Sequence, residues 1–161
     1  MKAIIALGAN LGDREATFQR ALLEIGSRVG MQLAVSRFYE TEPLVLPGSE
    51  EEQPPYLNAV VAVETELSPT AVLEALQGIE RDLGRSRATE VVRWGPRIID
   101  LDLVAMEQVQ LSLPGLIVPH PEMHNRRFVL EPMAEVEPGW VHPLLKRDVL
   151  SLLKALPVSA P

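Results

Sequence analysis

Cysteine is absent from the 161 residues, which excludes disulfides, thiolate metal ligands and a cysteine nucleophile. No apolar run approaches the roughly 18 residues of a membrane span. The first apolar run stops at Gly8, too soon for a secretory signal. We therefore expect a cytoplasmic protein that does not bind membranes. Neither G-x-x-x-x-G-K-[ST] nor G-x-G-x-x-G occurs, so a nucleotide would not be held by a P-loop, a dinucleotide fingerprint or a kinase glycine loop.

Aromatic residues and positive charge are also scarce overall. The chain has seven aromatic residues and a formal net charge of -7, from 22 acidic and 15 basic side chains. An acidic chain without interleaved strand aromatics does not have the composition of a nucleic-acid-binding protein. Twelve of the 15 basic residues are nevertheless arginine, and five of them lie between Arg81 and Arg97. One region is therefore locally basic in an acidic protein.

The length suits one domain over residues 1–161, because domains usually contain about 100–200 residues. Apolar spacing and turn residues predict strands and helices in alternation. In chain order these are a strand at 2–7, a helix from the N-cap Asp13 to Gly30, strands at 33–39 and 56–66, a helix from Ser68 to Leu83, strands at 98–104 and near 109–113, and helices at 126–134 and about 149–156. Segments 40–55 and 84–96 are predicted loops. This order indicates an α+β fold with a ferredoxin-like βαββαβ core, a mainly antiparallel sheet, helices packed on it and a C-terminal extension.

The segment from Arg93 to Leu103 carries the clearest chemistry. Asp100 and Asp102 are two residues apart in a predicted strand, so they share one face at a spacing of about 6.6 Å. Two like charges on one face repel, and Mg²⁺ bound together with substrate phosphates would compensate them. The alternative is an exposed sheet face with two solvated aspartates.

Four arginines favour the phosphate interpretation. Arg85, Arg87, Arg93 and Arg97 precede the aspartates, and guanidinium groups bind phosphate through two parallel hydrogen bonds. Arginines beside a metal-binding pair are expected where polyphosphate chemistry depends on charge neutralisation. Pairing of these arginines with nearby acidic residues is the competing interpretation.

Three further residues have two open interpretations each. His120 either donates a hydrogen bond to a phosphate or is a turn histidine between prolines. Tyr56 and Phe128 either sandwich a flat heterocycle or are ordinary core residues.

Several motifs occur together in this chain: L-G-A-N-L-G-D at 7–13, Y-E-T-E-P at 39–43, P-Y-L-N-A at 55–59, R-W-G-P-R-x-x-D-L-D at 93–102, P-H-P at 119–121 and N-R-R-F at 125–128. On these segments, which span about residues 4–135, the sequence resembles the 6-hydroxymethyl-7,8-dihydropterin pyrophosphokinases of folate biosynthesis. The resemblance implies an ATP- and Mg²⁺-dependent diphosphotransferase. Such an enzyme transfers pyrophosphate from ATP to the hydroxymethyl group of the pterin and releases AMP.

The resemblance also implies roles for individual residues. Asp100 and Asp102 would bind two Mg²⁺ ions, and Arg85 and Arg97 would act with them in catalysis, with Asp102 as acceptor of the hydroxyl proton. The implied pterin contacts are Gly8, Thr41, Pro43, Leu44, Tyr56, Asn58, Trp94 and Phe128. The implied ATP contacts are Gln77, Glu80, Arg85, Arg87, Trp94, Arg97, Leu103, His120 and Arg126. We expect a monomer whose partners are these two substrates.

Without the resemblance, two other functions fit the same residues. A metal-dependent phosphohydrolase would use Asp100 and Asp102 to hydrolyse ATP without a pterin. A ligand-sensing domain with the same fold would bind ligand and turn nothing over.

Overall fold

The computed structural model describes residues 1–42, 55–84 and 98–161. The strands are β1 (Lys2–Ala9), β2 (Met31–Val35), β3 (Tyr39–Thr41), β4 (Tyr56–Glu64), β5 (Asp100–Met106), β6 (Leu111–Leu113) and β7 (Leu116–Val118). The helices are α1 (Arg14–Arg28), α2 (Pro69–Asp82), α3 (Arg127–Val136) and α4 (Val149–Ala155), with a 3-10 turn at Met123–Asn125. Most of the two predicted loops, at 43–54 and 85–97, lies outside the described residues.

The main sheet has the strand order β2-β4-β1-β5, and β3 pairs with β4 beyond the end of β2. Every pairing in it is antiparallel. The two central strands are thus the first and third of the βαββαβ unit, with the second and fourth outside them. This order confirms the predicted ferredoxin-like fold.

Local signals place the helix starts correctly. Asp13 accepts a hydrogen bond from the Ala16 amide and Ser68 accepts one from the Ala71 amide, so both residues are N-caps as predicted. Helix α3 differs, because its N-cap residue, Arg126, makes no side-chain capping bond.

Both faces of the sheet are covered. One face packs against α1 and α2 through residues such as Leu7, Val61 and Leu103. The other packs against α3 and α4, and there Val60 and Ala62 are at most 1% exposed. The C-terminal helices therefore bury this second face of the sheet.

The structure differs from the sequence prediction at two places in the strands. The single strand predicted at 33–39 is two strands, β2 and β3. Ser36 lies between them and bonds Val60 twice, donating its amide to the Val60 carbonyl and accepting the Val60 amide at Oγ. The proline-containing segment 114–121 includes strand β7, which pairs with β6 in a small hairpin that sequence spacing did not predict.

Candidate active site

A row of residues across three strands forms the floor of a cavity. Gly8 of β1 lies in register with Asn58 of β4 on one side and Asp100 of β5 on the other. In the next row Ala6 lies opposite Asp102. Small residues on the central strand leave space between the polar side chains of its neighbours. The cavity above this floor has a volume of about 480 Å³.

Asn58 is held in one orientation at the edge of the cavity. Its side chain is only 6% exposed, and its Nδ2 donates a hydrogen bond of 2.7 Å to Thr41 Oγ1 on β3. A Cβ placed on Gly8 would lie 3.8 Å from Asn58 Oδ1. The amide oxygen therefore lies over the Gly8 backbone, where it can accept a hydrogen bond from a ligand N–H.

The two aspartates share the cavity face of β5, as predicted. The apolar residues that alternate with them, Ile99, Leu101 and Leu103, are at most 4% exposed and belong to the core beneath α1 and α2. The Leu101 amide donates 3.0 Å to the carboxylate of Glu80, a buried residue in the last turn of α2. In the part of the chain that the structure describes, β5 is the outer strand of the sheet, and this contact pairs an amide on its open edge.

An irregularity in β5 places His120 beside the aspartates. Ile4 pairs with Ala105 and Ile5 pairs with Leu103, so Val104 is an extra residue in the ladder. The Val104 carbonyl accepts a hydrogen bond of 2.8 Å from the His120 amide. The bulge thus brings the loop after β7 to the cavity.

His120 is arranged to donate from one ring nitrogen. Its Nδ1 accepts the Glu122 amide at 3.1 Å. Burial, followed by the positive charge of Arg126, lowers the pKa of His120 below its usual value of 6.5. The ring is therefore neutral at pH 7, and its proton lies on Nε2, which can donate to an anion. This geometry favours the phosphate interpretation of His120.

The start of helix α3 forms the wall of the cavity. Arg126, Phe128 and Val129 all line it. The Arg126 guanidinium lies 5.6 Å from the centre of the Phe128 ring, within the range of a cation–π contact. A cation and an aromatic face therefore adjoin at this wall.

Most predicted site residues that the structure describes meet in this one cavity. Those that line it are Gly8, Thr41, Tyr56, Asn58, Asp100, Asp102, His120, Arg126 and Phe128. Three others do not: Gln77 is on the exposed side of α2, Glu80 is buried against β5, and Leu103 is in the core. Their proposed ATP contacts remain predictions. Pro43, Leu44, Arg85, Arg87, Trp94 and Arg97 lie outside the described residues.

Sequence reasoning missed several lining residues. They are Ala6, Leu7, Val129 and Pro161, whereas Glu42 lies within the stretch from Thr41 to Leu44 that the resemblance places against the pterin. Ala6 could have been predicted from the sequence, because side chains two residues apart on a strand share a face and Gly8 was already assigned to the site. Pro161 had no local signal, because only the folded chain brings it to the site.

The cavity residues fit a magnesium ion. Asp100 and Asp102 present hard carboxylate oxygens on one face, the donor type that Mg²⁺ prefers. Within residues 1–42, 55–84 and 98–161, no three His, Cys, Asp or Glu side chains gather as a protein-only metal site. A carboxylate pair suits a cation that takes its remaining ligands from substrate phosphates and water.

In the same described ranges, no helix has the length and apolar character required to span a membrane.

The fold and the cavity together define a class: a ferredoxin-like α+β protein with two aspartates, a neutral histidine and an arginine gathered over the sheet. The family model for 7,8-dihydro-6-hydroxymethylpterin-pyrophosphokinase matches residues 4–138. The chain belongs to this family.

Relatives of known name agree with this assignment. The chain is 42% identical over 135 residues to a 2-amino-4-hydroxy-6-hydroxymethyldihydropteridine pyrophosphokinase of Bacillus subtilis, covering 83% of this chain and 77% of that protein. It is also 42% identical over 140 residues to the Porphyromonas gingivalis protein of the same name, covering 86% and 92%.

Solved structures confirm the fold alone. A crystal structure of wild-type Plasmodium falciparum HPPK-DHPS with pteroate matches with a TM-score of 0.71 and 15% identity, over 95% of this chain and 42% of that chain. The protein described here thus spans less than half of that longer polypeptide.

Proposed function

We propose that this protein transfers pyrophosphate from ATP to the hydroxymethyl group of 6-hydroxymethyl-7,8-dihydropterin in folate biosynthesis, releasing AMP. Family membership supports the reaction class. The register row Asn58–Gly8–Asp100 carries the assignment of the site. Two strand spacings separate its ends by about 10 Å, and this distance is enough for a flat bicyclic ring between a hydrogen-bonding amide and a metal-binding carboxylate.

The pterin binds at the Asn58 end of the row. The Asn58 Oδ1 accepts a ring N–H, and Thr41 holds the amide in the orientation that makes this possible. Tyr56 and Phe128 contact the faces of the ring, and Gly8 leaves space beneath it. The ring is thereby oriented with its hydroxymethyl arm toward the aspartates.

The triphosphate binds at the opposite end. His120 Nε2 and the Arg126 guanidinium donate to phosphate oxygens, and Arg85, Arg87, Trp94 and Arg97 complete the ATP contacts. Asp100 and Asp102 would hold two Mg²⁺ ions, which neutralise phosphate charge when bound.

The chain's residues then favour one reaction path. The pterin hydroxymethyl oxygen is oriented for in-line attack on the β-phosphorus of ATP, and a carboxylate oxygen of Asp102 accepts its proton. The bond between the β-phosphorus and the oxygen bridging to the α-phosphorus breaks, and AMP leaves with that oxygen. Exclusion of water from the cavity suppresses the competing hydrolysis of ATP. The arrangement makes positioning and charge neutralisation the main sources of rate enhancement.

Incubation of the purified protein with ATP, Mg²⁺ and the hydroxymethyl dihydropterin tests the proposal. We expect AMP and pterin diphosphate in equal amounts, with no AMP when pterin is omitted. Phosphate release in the absence of pterin would instead indicate a phosphohydrolase. Binding without turnover would indicate a ligand sensor.

We further propose that residues 1–161 form one domain and that the protein acts as a cytoplasmic monomer. The contacts of α3 and α4 with the main sheet support the single domain. Light scattering during size-exclusion chromatography would test the monomer. A mass corresponding to two chains would contradict it.

A further inference from the structure

The end of the segment 157–161 reaches the candidate cavity through Pro161, although the segment lies beyond the part of the chain that the family model matches, residues 4–138. Pro161 lines the same cavity as Phe128 and Val129 at the start of α3. The main-chain oxygen of Pro161 accepts a hydrogen bond of 2.6 Å from the Arg127 amide. The segment therefore contacts the helix that carries two of the lining residues.

This contact supplies something that α3 lacks. Amides in the first turn of a helix have no partner within the helix, and a capping side chain usually accepts one of them. The N-cap residue of α3, Arg126, makes no side-chain capping bond. Arg127 is the first residue of the helix, and the main-chain oxygen of Pro161 accepts its amide. Residues 157–161 thus take over part of the role of an N-cap.

The Arg127 side chain holds the other end of the same segment. Its guanidinium donates 3.1 Å to the Pro157 carbonyl. The Ala160 amide donates 3.0 Å to that carbonyl as well, which closes the segment into a turn. Arg127 therefore contacts both ends of the five-residue segment.

From these contacts we infer that residues 157–161 are a wall of the pterin subsite and that Arg127 is the positioning residue that holds them there. Pro161 faces the substrate, and the capped first turn of α3 fixes the Phe128 ring. This inference rests on the proposed placement of the pterin against Phe128. It assigns a substrate-binding role to a segment outside the matched region of the family.

Three variants test the inference. In the first, residues 157–161 are replaced by Gly-Ser-Gly-Ser-Gly, which keeps the length and removes the proline ring. The second is Arg127→Ala, and the third combines both changes. Arg147→Ala is the matched control, because Arg147 also donates to a backbone carbonyl, that of Ser151 at 3.1 Å, but Ser151 does not belong to the segment that reaches the cavity.

The readouts are the dissociation constant of 6-hydroxymethylpterin by fluorescence titration, kcat with both substrates saturating, and urea unfolding. Arg127→Ala loses one side-chain hydrogen bond, and the replacement removes the Pro161 ring from the cavity while keeping the main-chain acceptors. We expect each single variant to raise the pterin dissociation constant by about three- to tenfold. The combined variant should bind pterin no more weakly than the single variant with the lower affinity, because both changes disrupt the same contact between Arg127 and the segment. In the three test variants we expect kcat to stay within about twofold of that of the unaltered protein. Arg127→Lys should recover most of the pterin affinity, and Arg147→Ala should bind pterin as the unaltered protein does.

The inference would be overturned if the variant with residues 157–161 replaced folds and binds pterin with unchanged affinity. It would also be overturned if the effects of the two changes on pterin affinity were strictly additive. If the replacement does not fold, Pro161→Gly decides the question, because it removes the ring but retains the main-chain oxygen that accepts the Arg127 amide. Unaltered pterin affinity in that variant would refute a substrate-facing wall. Phe128→Ala separates the two proposals: if it leaves pterin affinity intact while AMP is still formed, the placement of the pterin is wrong.

Discussion

Glu80 provides a sharp test, because the family resemblance and the structure suggest different roles for it. The resemblance places Glu80 on the ATP side of the site. In the structure its carboxylate is buried and accepts the Leu101 amide at 3.0 Å, between the two aspartates of β5. We expect Glu80→Ala to destabilise the fold and to loosen the strand that carries Asp100 and Asp102.

The magnitude follows from the environment of the bond. A hydrogen bond to a charged group contributes about 1.5–3 kcal/mol, and its loss here leaves a buried amide unpaired. We therefore expect the free energy of unfolding to fall by about 2–3 kcal/mol in Glu80→Ala. For a protein of this size that corresponds to a decrease in Tm of about 4–12 °C. Glu80→Gln retains an acceptor oxygen and should lose less than half as much.

Urea unfolding, thermal unfolding and steady-state kinetics measure the effect. The matched control is Glu74→Ala, an exposed glutamate on the same helix, which should change the free energy of unfolding by less than about 0.5 kcal/mol. In Glu80→Ala we expect kcat to fall more than the KM for ATP rises. The reasoning would be refuted by unaltered stability combined with a large, selective rise in the KM for ATP.

Three other changes have defined outcomes. Asp102→Asn should abolish AMP formation while circular dichroism and Tm stay near those of the unaltered protein, and full activity would refute the metal assignment. In Gly8→Ala the added methyl makes only an ordinary contact with Asn58, so the free energy of unfolding should be nearly unchanged. The methyl on the cavity floor should raise the KM for pterin by about tenfold. An unchanged KM would place the pterin elsewhere. Burial, followed by the nearby His124, lowers the pKa of His142. The unfolded chain then binds more protons, so the free energy of unfolding should decrease as the pH falls below about 6.5. His142→Asn keeps an acceptor for the Leu144 and Leu145 amides and should flatten that decrease in urea titrations between pH 7.5 and 5; an unaltered slope would exclude His142 as its source.

The sequence by itself determined the features that depend on near neighbours. Asp13 and Ser68 cap their helices because each side chain reaches an amide three residues ahead. Asp100 and Asp102 share a face because side chains alternate along a strand. The order of elements was enough to predict the ferredoxin-like topology, since few arrangements satisfy it.

Only the tertiary structure decided which of these features meet. Asn58, Gly8 and Asp100 form one row because of the register between strands that are distant in sequence, and no local pattern encodes that register. His120 reaches the cavity through a bulge at Val104, and Pro161 reaches it by capping α3. Such contacts form only when separate elements pack together, because each buries apolar surface that its own segment cannot cover. The chemistry of the site could therefore be predicted from short motifs, whereas its walls depend on the folded chain.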